Sequence, residues 1–115
     1  MKFKKLNKKV LKWAKNKGIF DKGTPVSQHS KTLEEVDELT FAIAAQRDGK
    51  KEFDENGNVK NTEEEIKDAI GDIMVTLIIQ CEMQGLTVKD CLETAYNVIS
   101  KRTGKMVDGI FVKDE

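Results

Sequence analysis

Apolar residues recur along this chain at helical spacing. Phe3, Leu6, Val10 and Trp13 fall at i, i+3, i+7 and i+10, which predicts an amphipathic helix over residues 3 to 17 that ends at Gly18. Residues 19 to 25 read as a connection. Thr24 before Pro25 supplies an N-cap and a proline at the first helical position, so a long helix is expected to run to about Asp48. From Gly49 to Asn61 the helical period breaks. Asn56-Gly57 between Phe53 and Val59 is a hairpin-turn signal, and a short hairpin-like excursion is expected near residues 51–60. Asn61 or Thr62, followed by Glu63, Glu64 and Glu65, begins a third helix that ends at Gly85, with Thr62-x-x-Glu65 as a capping box. Thr87 can cap a fourth, whose apolar face is Val88, Cys91, Leu92, Ala95, Tyr96 and Ile99, and Gly104 is its natural stop. The tail after it carries Met106, Val107, Ile110, Phe111 and Val112, too apolar to float free, so it is expected to dock on its own bundle or on a second subunit. The pattern is all-α: one domain over residues 1–115, four helices, the excursion and an extended C-terminal tail.

The polar positions that interrupt the helical stripes carry the chemistry. Leu33 to Leu39 reads Leu-Glu-Glu-Val-Asp-Glu-Leu, and at about 100° per residue Glu34, Glu35 and Glu38 share one arc of the helix. Carried onward from Glu34, that stripe reaches Phe41 and Ala45 and is expected to continue as core. The third helix repeats the device, with Asp68 and Asp72 followed by Val75 and Ile79, while Ile66, Ile70, Ile73 and Leu77 form a second apolar stripe. This helix is therefore expected to be buried on two sides, and Gly71 within it suggests close backbone approach. Carboxylates gathered in a partly buried space repel one another and lose hydration unless a cation neutralises them. Oxygen ligands suit a hard divalent ion, Mg²⁺ or Mn²⁺ first, with Glu34, Glu35, Glu38, Asp68 and Asp72 as candidate ligands. Gln28 and Lys31, a turn or so upstream, are candidate substrate contacts beside such a site. The only histidine, His29, reads as an exposed side chain with no second nitrogen ligand or nucleophile near it.

Composition narrows the partners. Twenty basic and twenty acidic residues give a formal net charge of zero, so no global field recommends nucleic acid or a membrane. The charge is local. Lysines coat the first helix, where they read as a solvated face or, at Lys15 or Lys17, as an attraction for polyphosphate; acids concentrate between Glu34 and Glu65. No apolar run approaches the roughly 18 residues of a spanning helix, and the lysine-rich start lacks the apolar segment of a signal peptide, so a cytoplasmic protein is expected. Cys81 and Cys91 lack the spacing of a zinc or redox motif and read as buried thiols.

Three segments in order, Gln28-x-x-Lys31-x-x-Glu34-Glu35-x-x-Glu38-Leu39, Asp68-Ala69-Ile70-Gly71-Asp72, and Ala95-Tyr96-Asn97 with Lys101-Arg102-Thr103-Gly104-Lys105, resemble the MazG-like all-α nucleoside triphosphate pyrophosphohydrolases, especially small single-domain phage and bacterial forms. The resemblance covers nearly the whole chain and implies a four-helix MazG-like bundle. It also implies Mg²⁺ at Glu34, Glu35, Glu38 and Asp72, with Asn97 and the basic residues Lys101, Arg102 and Lys105 on the nucleotide. The sequence departs from that family at Ala69, where the usual pattern has a glutamate; Asp68 is the acid available in its place. The implied reaction is hydrolysis of a nucleoside or deoxynucleoside triphosphate between the α and β phosphates, with either Glu35 or Glu38 orienting or deprotonating the water. Phosphoribosyl-ATP pyrophosphohydrolase is an alternative in the same class, and a helical interaction module with a structural or vestigial metal site is the alternative from another. The surplus of apolar faces predicts a homo-oligomer, at least a dimer.

Overall fold

Helix α1 (Phe3–Asn16) buries only Ala14 fully, and Gly18, in the left-handed region at φ 78°, turns the chain into the single-turn helix α2 (Ile19–Lys22). That turn of helix lies inside the stretch expected to be a plain connection. Helix α3 (Pro25–Asp48) begins as the sequence predicts. Thr24 Oγ1 accepts from the Ser27 backbone N–H at 3.1 Å while Ser27 Oγ accepts from the Thr24 N–H at 2.8 Å. Gly49 ends the helix at φ 64°.

The excursion forms as a minimal ribbon with one antiparallel bridge, Phe53 to Val59. Asp54 organises it, its Oδ1 accepting from the Asn56 and Asn58 N–H groups at 2.9 Å each. Helix α4 (Thr62–Met83) is capped by Asn61, whose side chain accepts from the N–H groups of Glu63 and Glu64, so Asn61 takes the capping role that Thr62 also offered.

Helices α3 and α4 pack along their length, with α1 against α4 and α2. A polar seam sets their register. Gln28 Nε2 donates to the Thr76 carbonyl at 3.2 Å, Thr32 Oγ1 to Thr76 Oγ1 at 2.9 Å, and Gln80 Nε2 to the Pro25 carbonyl at 2.9 Å. Rising numbers on α3 thus meet falling numbers on α4, so the pair is antiparallel. The buried residues of α3 are Gln28, Glu35, Ala42 and Ala45. Their spacing centres the buried face on Glu35, about 100° from Glu34. The expected stripe through Glu34 is corrected accordingly: Ala45 is core, but Phe41 is 71% exposed. On α4, Ala69, Thr76, Ile78 and Ile79 are buried, whereas Ile70 and Leu77 of the second stripe are each 46% exposed. That stripe is therefore only partly covered within the chain. A Cβ built on Gly71 meets nothing within 4 Å, so the expected close backbone approach is absent.

The computed structural model describes all 115 residues, and they divide into two compact units, Met1–Gly85 and Leu86–Glu115. In the second, Thr87 Oγ1 caps α5 (Val88–Ile99) by accepting from the Asp90 N–H at 3.1 Å. The tail departs from expectation. Instead of an extended strap it is a hairpin of β1 (Gly104–Val107) and β2 (Ile110–Lys113), paired antiparallel from Gly104↔Lys113 to Val107↔Ile110. Asp108 and Gly109 turn it with φ values of 50° and 82°. Gly104 is therefore a strand residue, and a Cβ there would strike the Val112 carbonyl and the Phe111 ring. No residue of α5 or of either strand is buried. The chain is mostly helical, with five helices and this small sheet. No single helix is long and apolar enough to cross a membrane, and no disulfide joins Cys81 and Cys91, both half-buried.

Candidate metal centre

The antiparallel register that pairs Gln28 with Thr76 carries Glu35 and Glu38, about two and three turns further along α3, toward Asp72 on α4. One carboxylate oxygen from each of these three residues lies within 4.8 Å of the other two. Glu35 is buried, Asp72 half-buried and Glu38 exposed, so the group opens to solvent on the Glu38 side.

The two oxygens of Glu35 have different surroundings. Oε1 lies 3.3 Å from Lys31 Nζ, one turn back on the same helix, and Lys31 also reaches Glu34 Oε2 at 3.4 Å. Oε2 is buried and accepts no hydrogen bond. A buried carboxylate oxygen with no donor is costly. Here the residue that carries it stands with two more carboxylates.

The ionisation equilibria carry the same strain. Hydrogen bonding with Glu35, then its negative charge, holds the Glu38 carboxyl above the usual glutamate range: a proton on Glu38 would be shared with Glu35. Burial, then the charges of Asp68 and Glu35, pushes Asp72 up as well. Lys31 is raised, chiefly through its hydrogen bond to Glu35. Glu35 contributes to all three shifts, with burial the larger cause at Asp72. Three convergent carboxylates, one with an orphaned buried oxygen, fit a cation with hard oxygen preferences, and the group can hold a metal ion.

Of the five acids expected as ligands, Glu35, Glu38 and Asp72 meet. Glu34 lies outside the group because it projects away from the buried face and spends its charge on Lys31. Asp68 is outside it too, but its charge acts on Asp72. Gln28, expected as a substrate contact, is 7% exposed and commits its amide to the Thr76 carbonyl, where it fixes the helix pair. Lys31 stands at the group. Asn97 on α5, Lys101 and Arg102 after it and Lys105 on β1 belong to the second unit, and all are exposed. None makes an ion pair with an acid.

No family model, curated protein or solved structure matches this chain. Nothing in these comparisons identifies a MazG-like family. Sequence reading took Phe41 as core and Glu65 as a capping residue and gave no role to Glu52 or Lys60, yet all four line a cleft that Glu38 shares. The available signal was positional: Phe41 follows Glu38 by one helical turn, and the excursion folds back between Glu52 and Lys60.

Proposed function

We propose that the chain hydrolyses nucleoside or deoxynucleoside triphosphates at the α–β phosphate bond, with Mg²⁺ or Mn²⁺ held by Glu35, Glu38 and Asp72. The observation that carries this reading is the buried, donorless Glu35 Oε2 inside a three-carboxylate group that opens to solvent. When bound, such an ion neutralises phosphate charge and acidifies water. The chain's own groups do the rest. Glu38, exposed and with its proton affinity raised by Glu35, is the better placed of the two glutamates to take a proton from an attacking water, while buried Glu35 holds the site's geometry. Lys31 is free to exchange its carboxylate partners for phosphate oxygens once a metal ion neutralises them. Lys101, Arg102 and Lys105, which the resemblance assigns to the phosphates with Asn97, carry charge that no acid of the chain neutralises.

The test is pyrophosphate release from a panel of triphosphates with and without Mg²⁺. Magnesium-dependent release supports the reaction; no release from any member overturns it. A second reading is favoured by the Lys31 ion pairs, which already offset part of the acidic charge: a helical interaction module in which the acids are a structural or vestigial metal site. Metal binding without hydrolysis would select it. The same proposal includes assembly, supported by the half-exposed Ile70, Met74 and Leu77 on α4 and by an α5 that buries none of its residues.

A further inference from the structure

Beside the three-acid group, a cleft of about 270 Å³ opens between α3, the first turns of α4 and the excursion that joins them. Glu38 belongs to both, so the cleft is within reach of a ligand held at the acids. Its apolar walls are Ala42 and Ala69, both buried and both small enough to leave the space open, and the ring of Phe41. A phenyl ring 71% exposed on a cleft wall is a surface that a planar group would cover by stacking.

The polar wall has a definite hydrogen-bonding character. Lys60 Nζ lies 3.4 Å from Glu65 Oε1, which places one donor beside one acceptor. Glu52 and Asp68 add further carboxylates, and the Glu52 arm of the excursion is tied to that of Lys60 by the Lys60 N–H donating to the Glu52 carbonyl at 2.7 Å. A single ammonium among carboxylates complements an edge that presents one acceptor and two donors. Guanine presents that edge, with O6, N1–H and the N2 amino group. Adenine has one donor beside a bare ring nitrogen, and uracil sets its single N–H between two carbonyls.

We infer that this cleft is a nucleobase subsite, with Phe41 as the stacking platform and Lys60, Glu65 and Glu52 selecting guanine. The inference rests on reading the acid group as the place where the phosphates of a nucleotide are held through a metal ion. It moves the base away from Gln28, whose amide is already committed, to the opposite side of the acids along α3.

Equilibrium binding of guanosine, adenosine and uridine 5′-monophosphates in Mg²⁺, measured by calorimetry, tests the subsite without requiring turnover. The expected result is guanosine monophosphate bound at least tenfold more tightly than the others. Phe41→Ala should weaken it about tenfold, and Phe41→Tyr should restore it. Lys60→Met should abolish the preference while leaving adenosine monophosphate affinity nearly unchanged. Thermal melting of each variant separates lost binding from lost folding, and Phe41, being exposed, is a mild place to cut. Equal affinities for the three nucleotides, no binding of any, or a folded Phe41→Ala variant that binds as the parent would overturn the subsite. Hydrolysis of triphosphates without base discrimination would also overturn it while sparing the reaction. Guanosine monophosphate binding with these variant effects, but with no hydrolysis of any triphosphate, would keep the subsite and remove the reaction.

Discussion

Lys31 Nζ lies 3.3 Å from Glu35 Oε1, so the one buried acid of the α3–α4 pair carries a cation from its own helix. Because the lysine is half exposed and the glutamate is not, removing the lysine strands a charge that water reaches poorly. Lys31→Met is expected to cost on the order of 1 kcal/mol in metal-free protein, between an exposed pair and a buried one. In saturating Mg²⁺ the loss should shrink, since another cation then faces the same oxygens. Paired melting curves with Mg²⁺ and with a chelator check both halves.

Glu38 and Asp37 are neighbours that differ in orientation: Glu38 is in the three-acid group and Asp37 is exposed outside it. Glu38→Gln keeps the shape and removes one anionic oxygen, and pyrophosphate release should fall by roughly a hundredfold or more. Asp37→Asn, with the same change of charge within one turn, should cost little. A larger loss from Asp37 would refute the assignment of the site.

The raised carboxyls of Glu38 and Asp72 fix the sign of a pH effect. Their folded-state proton affinity exceeds the unfolded one, so between the two pKa values the folded chain binds more protons and stability falls as pH rises. Metal-free protein should therefore lose melting temperature as pH climbs from the ordinary carboxylate range through the raised values of these two groups. Mg²⁺, binding the ionised folded form, should flatten or invert that slope. An identical slope with and without millimolar Mg²⁺ would show that no ion meets these acids.

Gly71 is a helical glycine in open space, and alanine there relieves the unfolded chain of conformational freedom at no steric cost. Gly71→Ala should stabilise the protein by about 0.5–1 kcal/mol in chemical denaturation. Destabilisation instead would mean that a second chain occupies that space.

Assembly is open to direct measurement. With Ile70, Met74 and Leu77 lying half exposed along α4, sedimentation at micromolar concentration should return a mass of at least two chains. A single-chain mass would remove the proposed homo-oligomer.

The helix starts were legible because each has a local chemical cause: Thr24 before Pro25, Asn61 before three glutamates, and Thr87 before Asp90. The ribbon at Asn56-Gly57 was legible for the same reason. The centre of the buried face of α3 was not. Glu34 and Glu35 stand about 100° apart, and only the seam from Gln28 and Thr32 to Thr76 on the facing helix decides which of them turns inward. The tail illustrates a different gap. Asp108-Gly109 between Met106-Val107 and Ile110-Phe111 carries a hairpin signal as strong as Asn56-Gly57, but a reading committed to helices weighs the apolar content of such a run above its turn.

The β1–β2 hairpin leaves each of its two strands with an unpaired outer edge, and its apolar side chains are all solvent-exposed. Such an edge is a template on which another extended segment can add. Its defences are shortness, four residues per strand, and the lysines Lys105 and Lys113, whose charges oppose the stacking of like copies. The second of these defences is electrostatic and so is screened by salt. Ionic strength thus sets the colloidal behaviour of a chain with no net charge: high-salt buffers should promote β-rich aggregates seeded at residues 104–113, and Lys105→Glu, which leaves one charge of each sign on the hairpin in place of two like charges, should weaken that protection.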